Sequence, residues 1–221
     1  TIWTPDTVGS LAQYSPHTFF ETTLSIAVAA SSTKKLRIGS AVTEAVRHHP
    51  AMLAQSYATL EHLTNGRVIL GIGAGELENI EPYGLKFKKV VSRLEEAVHV
   101  IKLLWNSNRD ELINYNGKFF KLKDAVFELP PLKKRPPIWI GGAGERMCKI
   151  TARYADGWLP PNISVDEYWE KLNILLNHSL LLKTSPTTLP SEETRVANNG
   201  LNIKIEAKVA GRDKVMAALS E

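Results

Sequence analysis

The stretch "GRVILGIGAGELEN" (residues 66–79) decides how this chain is read. A near-continuous apolar strand, 67–73, runs through Gly71 and Gly73 to Gly75, and an acid and an amide, Glu76 and Asn79, stand just beyond it. A strand apolar on both faces belongs to a parallel sheet covered on both sides. The glycines suggest a dinucleotide fingerprint, but G-x-G-x-x-G needs a third glycine at position 76, where this chain has glutamate. Glycine strips side-chain bulk from a strand, so something else must approach this backbone closely.

Outward from that stretch the pattern alternates. Upstream, "HTFFETTLSIAVAASS" (17–32) has helical apolar spacing and "LRIGSAVT" (36–43) reads as a strand. Residues 49–66 read as a helix with Pro50 in its first turn and Asn65-Gly66 as its stop. Downstream, 92–107 is an amphipathic helix in which Ser92 and Glu95 would form a capping box. "YNGKFFKLKDAVFEL" (115–129) reads as a hairpin turning at Asn116-Gly117. Strand 136–144, helix 145–155, short strand 156–160 and helix 164–176 follow. After residue 178 the pattern weakens into a loop-like stretch, one more strand over "LNIKIEAKVAG" and a last helical turn or two.

Such repetition gives a parallel sheet, either doubly wound or closed as a (β/α)8 barrel. About five strand–helix units are legible where eight close a barrel. The expectation is therefore one α/β domain over residues 1–221, a TIM-type barrel with an insertion around residues 108–130, lacking parts at one or both ends.

Bulk properties narrow the function. The 221 residues are 43% hydrophobic and 23% charged, with a net charge of +4, as expected of an ordinary globular protein. Its basic residues are scattered, and "LKKRPP" (132–137) reads as a solvated loop, so no nucleic-acid partner is expected. The mild positive bias suits an anionic small molecule. A single cysteine, Cys148, excludes an internal disulfide and a cysteine-cluster metal site, and mid-helix it reads as packing. No apolar run is long enough to cross a membrane, and a cytoplasmic protein is the expectation.

In parallel α/β folds, ligands bind at the carboxyl ends of the strands. Those ends here are "GSAVTEAVRHHP", "GIGAGELEN", "GGAGER" and "WLPPN", two of them glycine-rich. Glu76, an acid at a strand end, is the functional candidate they offer. Adjacent His48 and His49 cannot both face one site from a regular element, so they are read as shaping the loop before Pro50 and no metal is expected. His17 is read as a helix-start residue. Hydrolase elbows, Walker loops and zinc signatures are all missing.

"RIGSAVTEAVRHHPAMLAQSYATLEHLTNGRVILGIGAGELENIEPYG" and "RPPIWIGGAGERMCKITARYADGWLPP" resemble the luciferase-like (β/α)8 family, with the likeness running over about residues 15–172. That family holds flavin-dependent monooxygenases and deazaflavin-dependent oxidoreductases. The chain is most similar to the branch using coenzyme F420, which includes methylenetetrahydromethanopterin reductases. The resemblance implies a bulge with a non-proline cis peptide at Ser40, Ala41 and Val42, supporting the back of the deazaflavin ring. It implies ring-edge contacts at Ala74, Gly75, Glu76 and Asn79, with Glu76 also a catalytic proton donor or electrostatic partner. It implies a phosphate-tail site at Gly141, Gly142, Ala143 and Gly144.

Relatives often end their second strand in Asp-His, whereas Asp6 here is followed by Thr7. Either the histidine is lacking, or that strand lies upstream of Thr1 and "TIWTPD" belongs to the loop after it. Pro5, ill suited to a central strand, favours the second, so Asp6 is not taken as a site residue. Three functional readings remain. The leading one is hydride transfer between F420 and a small alcohol, aldehyde or methylene carrier; relatives are often dimers, which leaves a homodimer open here. The rivals are an FMN-dependent monooxygenase on the same scaffold and a non-catalytic barrel subunit.

Overall fold

The computed structural model describes residues 1–8, 18–130, 132 and 134–183, with side chains described as far as residue 178. His17 and the segments expected beyond residue 183 lie outside the described residues. The elements alternate as β1 (Ile2–Thr4), α1 (Thr22–Ser31), β2 (Ile38–Ser40), β3 (Thr43–Glu44), α2 (Pro50–Thr64) and β4 (Val68–Gly73). They continue as α3 (Val90–Asn106), β5 (Ile113–Asn116), β6 (Lys121–Ala125), β7 (Ile138–Gly141), α4 (Glu145–Tyr154), β8 (Gly157–Leu159) and α5 (Val165–Lys183).

The main sheet is parallel throughout and runs β1-β2-β4-β7-β8, with β3 continuing the line of β2 against β4. Each strand lies beside its predecessor, without the reversal that marks a doubly wound sheet. This is the wall of a (β/α)8 barrel. The expected loop at "TIWTPD" is instead strand β1, with Ile2, Trp3 and Thr4 in register with Ile38, Gly39 and Ser40. Pro5 stands just past its end, where no ladder hydrogen bond is asked of it.

Side chains alternate across this sheet with period two. Ile38, Val68, Leu70, Ile72, Ile138 and Ile140 face the helices and join the main core with Leu53, Ala54, Tyr57, Leu94, Ala97, Val98 and Ile101. The other face carries large and small residues side by side. Trp3 and Trp139 have ring centroids 5.2 Å apart, and a Cβ on Gly39 or Gly157 would lie only 2.6 or 2.4 Å from those indoles. Cys148 is buried with Ala152, Trp158, Leu172 and Leu175 where α4 meets α5, the packing role read from its position.

Caps follow the sequence at one helix and depart from it at another. Asn65 takes the left-handed conformation (φ 52°) that ends α2 and Pro50 opens it, with His49 as the N-cap whose side chain accepts from the Ala51 N–H. The Ser92–Glu95 capping box does not form: α3 begins two residues earlier, and Glu95 turns outward to ion pairs with Arg146 and Arg153. The neighbouring Glu96 holds the insertion, its carboxylate accepting from the backbone N–H groups of Lys118, Phe119 and Phe120 at 2.7–3.1 Å. Gly117 begins that turn because a Cβ there would lie 1.9 Å from Glu96 Oε1.

At the amino ends of the strands a single guanidinium gathers the chain. Arg67 donates to the carbonyls of Ala30, Leu36 and Thr64 at 2.9–3.0 Å and to Thr33 Oγ1 at 3.3 Å. Two of these carbonyls, Ala30 and Thr64, lie in the last turns of α1 and α2, where the helix dipole favours a cation. Replacing Arg67 with Met should lower the unfolding free energy by about 2–3 kcal/mol in urea titrations, the value expected for several hydrogen bonds to a charged donor. A loss below about 0.5 kcal/mol would show that water replaces the arginine freely.

Candidate active site

The line of β2 breaks after Ser40 and resumes at Thr43. Gly39 pairs with Ile69 and Thr43 with Ile72, so four residue steps on this strand oppose three on β4: a one-residue bulge. The Ala41–Val42 peptide within it is cis, at the place the resemblance implied.

Ser40 is fully buried beneath the bulge and binds β4 with its side chain. Its Oγ donates to the Gly71 carbonyl at 2.7 Å and accepts from the Gly71 N–H at 3.0 Å and the Tyr57 hydroxyl at 2.6 Å. Burial pushes the Tyr57 hydroxyl far above its usual pKa, so it stays a donor. A Cβ on Gly71 would lie 1.8 Å from the Ser40 carbonyl oxygen. Val42 fills the next gap: a Cβ would meet its methyls at 2.6 Å from Gly73 and at 2.9 Å from Gly141. The glycine-rich strand ends therefore make room first for the chain's own bulge.

Above that bulge lies a cavity of about 450 Å³, within the range of small-molecule and cofactor pockets. One wall is apolar, built from Ala41, Val42, Ala74, Met147, Leu159, Pro160 and Pro161. The other edge carries Asp6, Glu44, Arg47, Glu76 and Asn79. Of the residues singled out in the sequence, Ala41, Val42, Ala74, Gly75, Glu76, Asn79, Gly141 and Gly142 come together on this lining. Ser40, Ala143 and Gly144 do not. Ser40 is sealed under the bulge, Ala143 packs against the α4–α5 cluster, and Gly144 is the exposed N-cap of α4. Gly142 (φ 132°) borders the cavity with both backbone groups engaged: its N–H donates to Leu159 O at 3.2 Å and its carbonyl accepts from Trp158 Nε1 at 2.7 Å. Asn79 braces the acid edge, its Nδ2 donating to Glu76 Oε2 at 3.0 Å and its Oδ1 accepting from the Val8 N–H at 3.1 Å.

Sequence reasoning left aside the most connected charges. Asp6, in the loop after β1, accepts from Thr43 Oγ1 at 2.5 Å; Arg47 Nη2 lies 3.2 Å from its Oδ1, and His48 Nε2 3.0 Å from its Oδ2. Arg47 also donates to Glu44 Oε1 at 2.7 Å, and Glu44, almost wholly buried, accepts from the Val46 and Arg47 N–H groups. Burial by itself would raise the Asp6 carboxyl, but His48, Thr43 and Arg47 outweigh it and hold the group below the usual carboxylate range. Asp6 in turn raises His48 against the opposing effect of burial. The available signal was position: "TEAVRH" follows a strand directly, the ground on which Glu76 was chosen.

A model of the family described as luciferase-like monooxygenase matches residues 1–175. The chain belongs to the luciferase-like monooxygenase family. A phthiodiolone/phenolphthiodiolone dimycocerosates ketoreductase of Mycobacterium kansasii is 51% identical over 128 residues, covering 58% of this chain and 35% of that protein. An F420-dependent glucose-6-phosphate dehydrogenase of Amycolatopsis mediterranei (strain U-32) is 37% identical over 136 residues, covering 59% and 39%. This luciferase-like chain thus matches well under half the length of these relatives. Among solved structures, an F420-dependent secondary alcohol dehydrogenase in complex with an F420–acetone adduct superposes with a TM-score of 0.66 at 25% identity, over 78% of this chain and 55% of that one.

The bulge that carries the cavity wall is testable through Ser40. Ser40→Ala leaves three buried polar groups without their partner and should cost about 2–4 kcal/mol of stability. Tyr57→Phe, which removes one hydrogen bond of the three, should cost about 1 kcal/mol. Equal losses in chemical denaturation would mean that Ser40 does not stand in for the interrupted ladder.

Proposed function

We propose that this chain forms the cofactor-binding part of an oxidoreductase that uses a deazaflavin, coenzyme F420, to interconvert a ketone and a secondary alcohol. The observation that carries the reading is the convergence of Ala41, Val42, Ala74, Gly75, Glu76, Asn79, Gly141 and Gly142 on one cavity, apolar on one side and hydrogen-bonding on the other. A flat polycyclic ring with one polar edge calls for that division. The names of the relatives, a ketoreductase and an F420-dependent dehydrogenase, support the same chemistry, as does a neighbour named as an F420-dependent secondary alcohol dehydrogenase in complex with an F420–acetone adduct.

In this reading the bound deazaflavin supplies a hydride to the carbonyl carbon, and the oxygen must gain a proton in the same turnover. Val42, wedged between Gly73 and Gly141, holds in place the apolar wall that would support a bound ring. Glu76, oriented by Asn79, exchanges the proton at the substrate oxygen. The first turn of α4, opened by Gly144 without a side-chain cap, offers backbone N–H groups to the phosphate of the coenzyme's tail. Leu159, Pro160 and Pro161, apolar residues of the lining, would exclude water from a bound ring.

Fluorescence titration with coenzyme F420 and, in parallel, FMN tests the reading. Binding of F420 at micromolar strength or better, with FMN weaker by about tenfold or more, is the expected result. Preference for FMN would turn the reading to a flavin monooxygenase, and binding of neither would end it. Glu76→Gln should lower turnover with a ketone substrate by about 10²-fold or more while changing F420 affinity little. Equal losses in both would leave Glu76 a plain binding contact.

A further inference from the structure

His48 lies outside the cavity, with a side chain 31% exposed, yet its Nε2 sits 3.0 Å from the Asp6 oxygen that also receives Thr43 Oγ1. The cavity lining holds three carboxylates, Asp6, Glu44 and Glu76, against one guanidinium, Arg47. Arg47 is shared, with Nε on Glu44 and Nη2 near Asp6, and neutralises only one of the two. With a neutral imidazole this wall is an unfavourable host for an anion. An imidazolium at His48 supplies the missing charge directly behind Asp6, at a place where it blocks nothing in the cavity.

We propose that His48 is the positioning residue of this site: it fixes the Asp6 carboxylate and sets the charge that the cavity wall presents, so that an anionic ligand binds more tightly when the imidazole is protonated. The inference rests on the preceding reading only in its choice of ligand, an anionic deazaflavin with a phosphate-bearing tail. The charged groups that act on the ring are Asp6 from the loop after β1 and Arg47 and Glu44 from its own loop. Two of the three are acids, and the pair with Asp6 raises the ring's pKa, so the switch lies above the usual histidine value. Nε2 approaches Asp6 without hydrogen-bond alignment, so the contact is one of charge and its attraction is lost when the ring gives up its proton. The sign follows. A group whose pKa is raised in the folded state contributes stability that is fully present below its unfolded pKa of about 6.5, and loses it as pH rises through the folded value.

The test compares the 221-residue chain with His48→Gln, which keeps an N–H donor and cannot titrate. In ligand-free thermal melts the wild type should exceed the variant most at about pH 5.5 and converge with it by about pH 9. A difference that does not change with pH means that His48 is not coupled to Asp6, and overturns the inference whatever the protein binds. F420 titrations at about pH 6 and about pH 8.5 should show affinity falling some three- to tenfold further in the wild type than in the variant, a comparison that cancels any titration of the coenzyme itself. Parallel pH dependence in the two proteins overturns the charge role. If neither protein binds F420 or FMN at any pH, the reading of the preceding subsection falls, and the melts still decide the coupling. Should His48→Gln fail to fold, NMR titration of the imidazole in the wild type and in Asp6→Asn replaces the melts: the histidine pKa must fall when Asp6 is neutralised, and an unmoved pKa overturns the inference.

Discussion

The contact on which the site depends is the one between Ser40 and Gly71. A strand that carries one residue too many must leave some ladder groups of its neighbour without backbone partners, and in a barrel wall those groups lie out of reach of water. Ser40 supplies an acceptor and a donor in their place, and Tyr57 occupies its remaining lone pair from the core side. Only with that satisfied can the next two residues leave the plane of the sheet, so that Val42 drops between Gly73 and Gly141 and forms the cavity wall. A hydroxyl buried on the helix side thus decides the shape of a surface on the other.

The two ends of the sheet use arginine for opposite purposes. Arg67, at the amino ends, spends its donors on main-chain carbonyls of three segments and has no carboxylate among those partners. Arg47, at the carboxyl ends, bridges two carboxylates within a cavity and is surrounded by groups whose protonation it alters. Barrels commonly divide in this way, with stability invested at one end and chemistry at the other. The division explains why substitutions in the two places should have different consequences even though both residues are half-buried arginines at strand ends.

What the sequence made legible was local. Apolar periodicity located the strands and helices, Asn65 and Pro50 marked the ends of α2, and Asn116-Gly117 marked the hairpin, because each signal lies within a few residues of the structure it produces. The failures were all long-range. The Ser92–Glu95 box looked right by spacing, but Glu95 found Arg146 about fifty positions away, and the role of Glu96 depended on where an inserted hairpin would land. Pro5 argues against a strand at β1 only if the ladder reaches it, and the ladder ends at Thr4. Asp6 is followed by threonine and preceded by Pro5, so nothing beside it in the chain marks it, whereas the histidine that approaches it comes from a different loop.

The glycines of "GIGAG" show why a pattern can be read correctly and explained incompletely. Their spacing by two puts Gly71 and Gly73 on the same face as Gly39, Gly141 and Gly157, and absence of bulk on that face is what the pattern announces. It does not announce what takes the space. At Gly39 and Gly157 it is an indole, at Gly71 a carbonyl of the neighbouring strand, at Gly73 and Gly141 a valine from the bulge. The same one-letter code serves packing in one layer, backbone rerouting in the next, and a cavity only in the last. A glycine-rich strand end therefore points to a ligand when the layers beneath it are already filled by the protein, which is the arrangement these strands achieve.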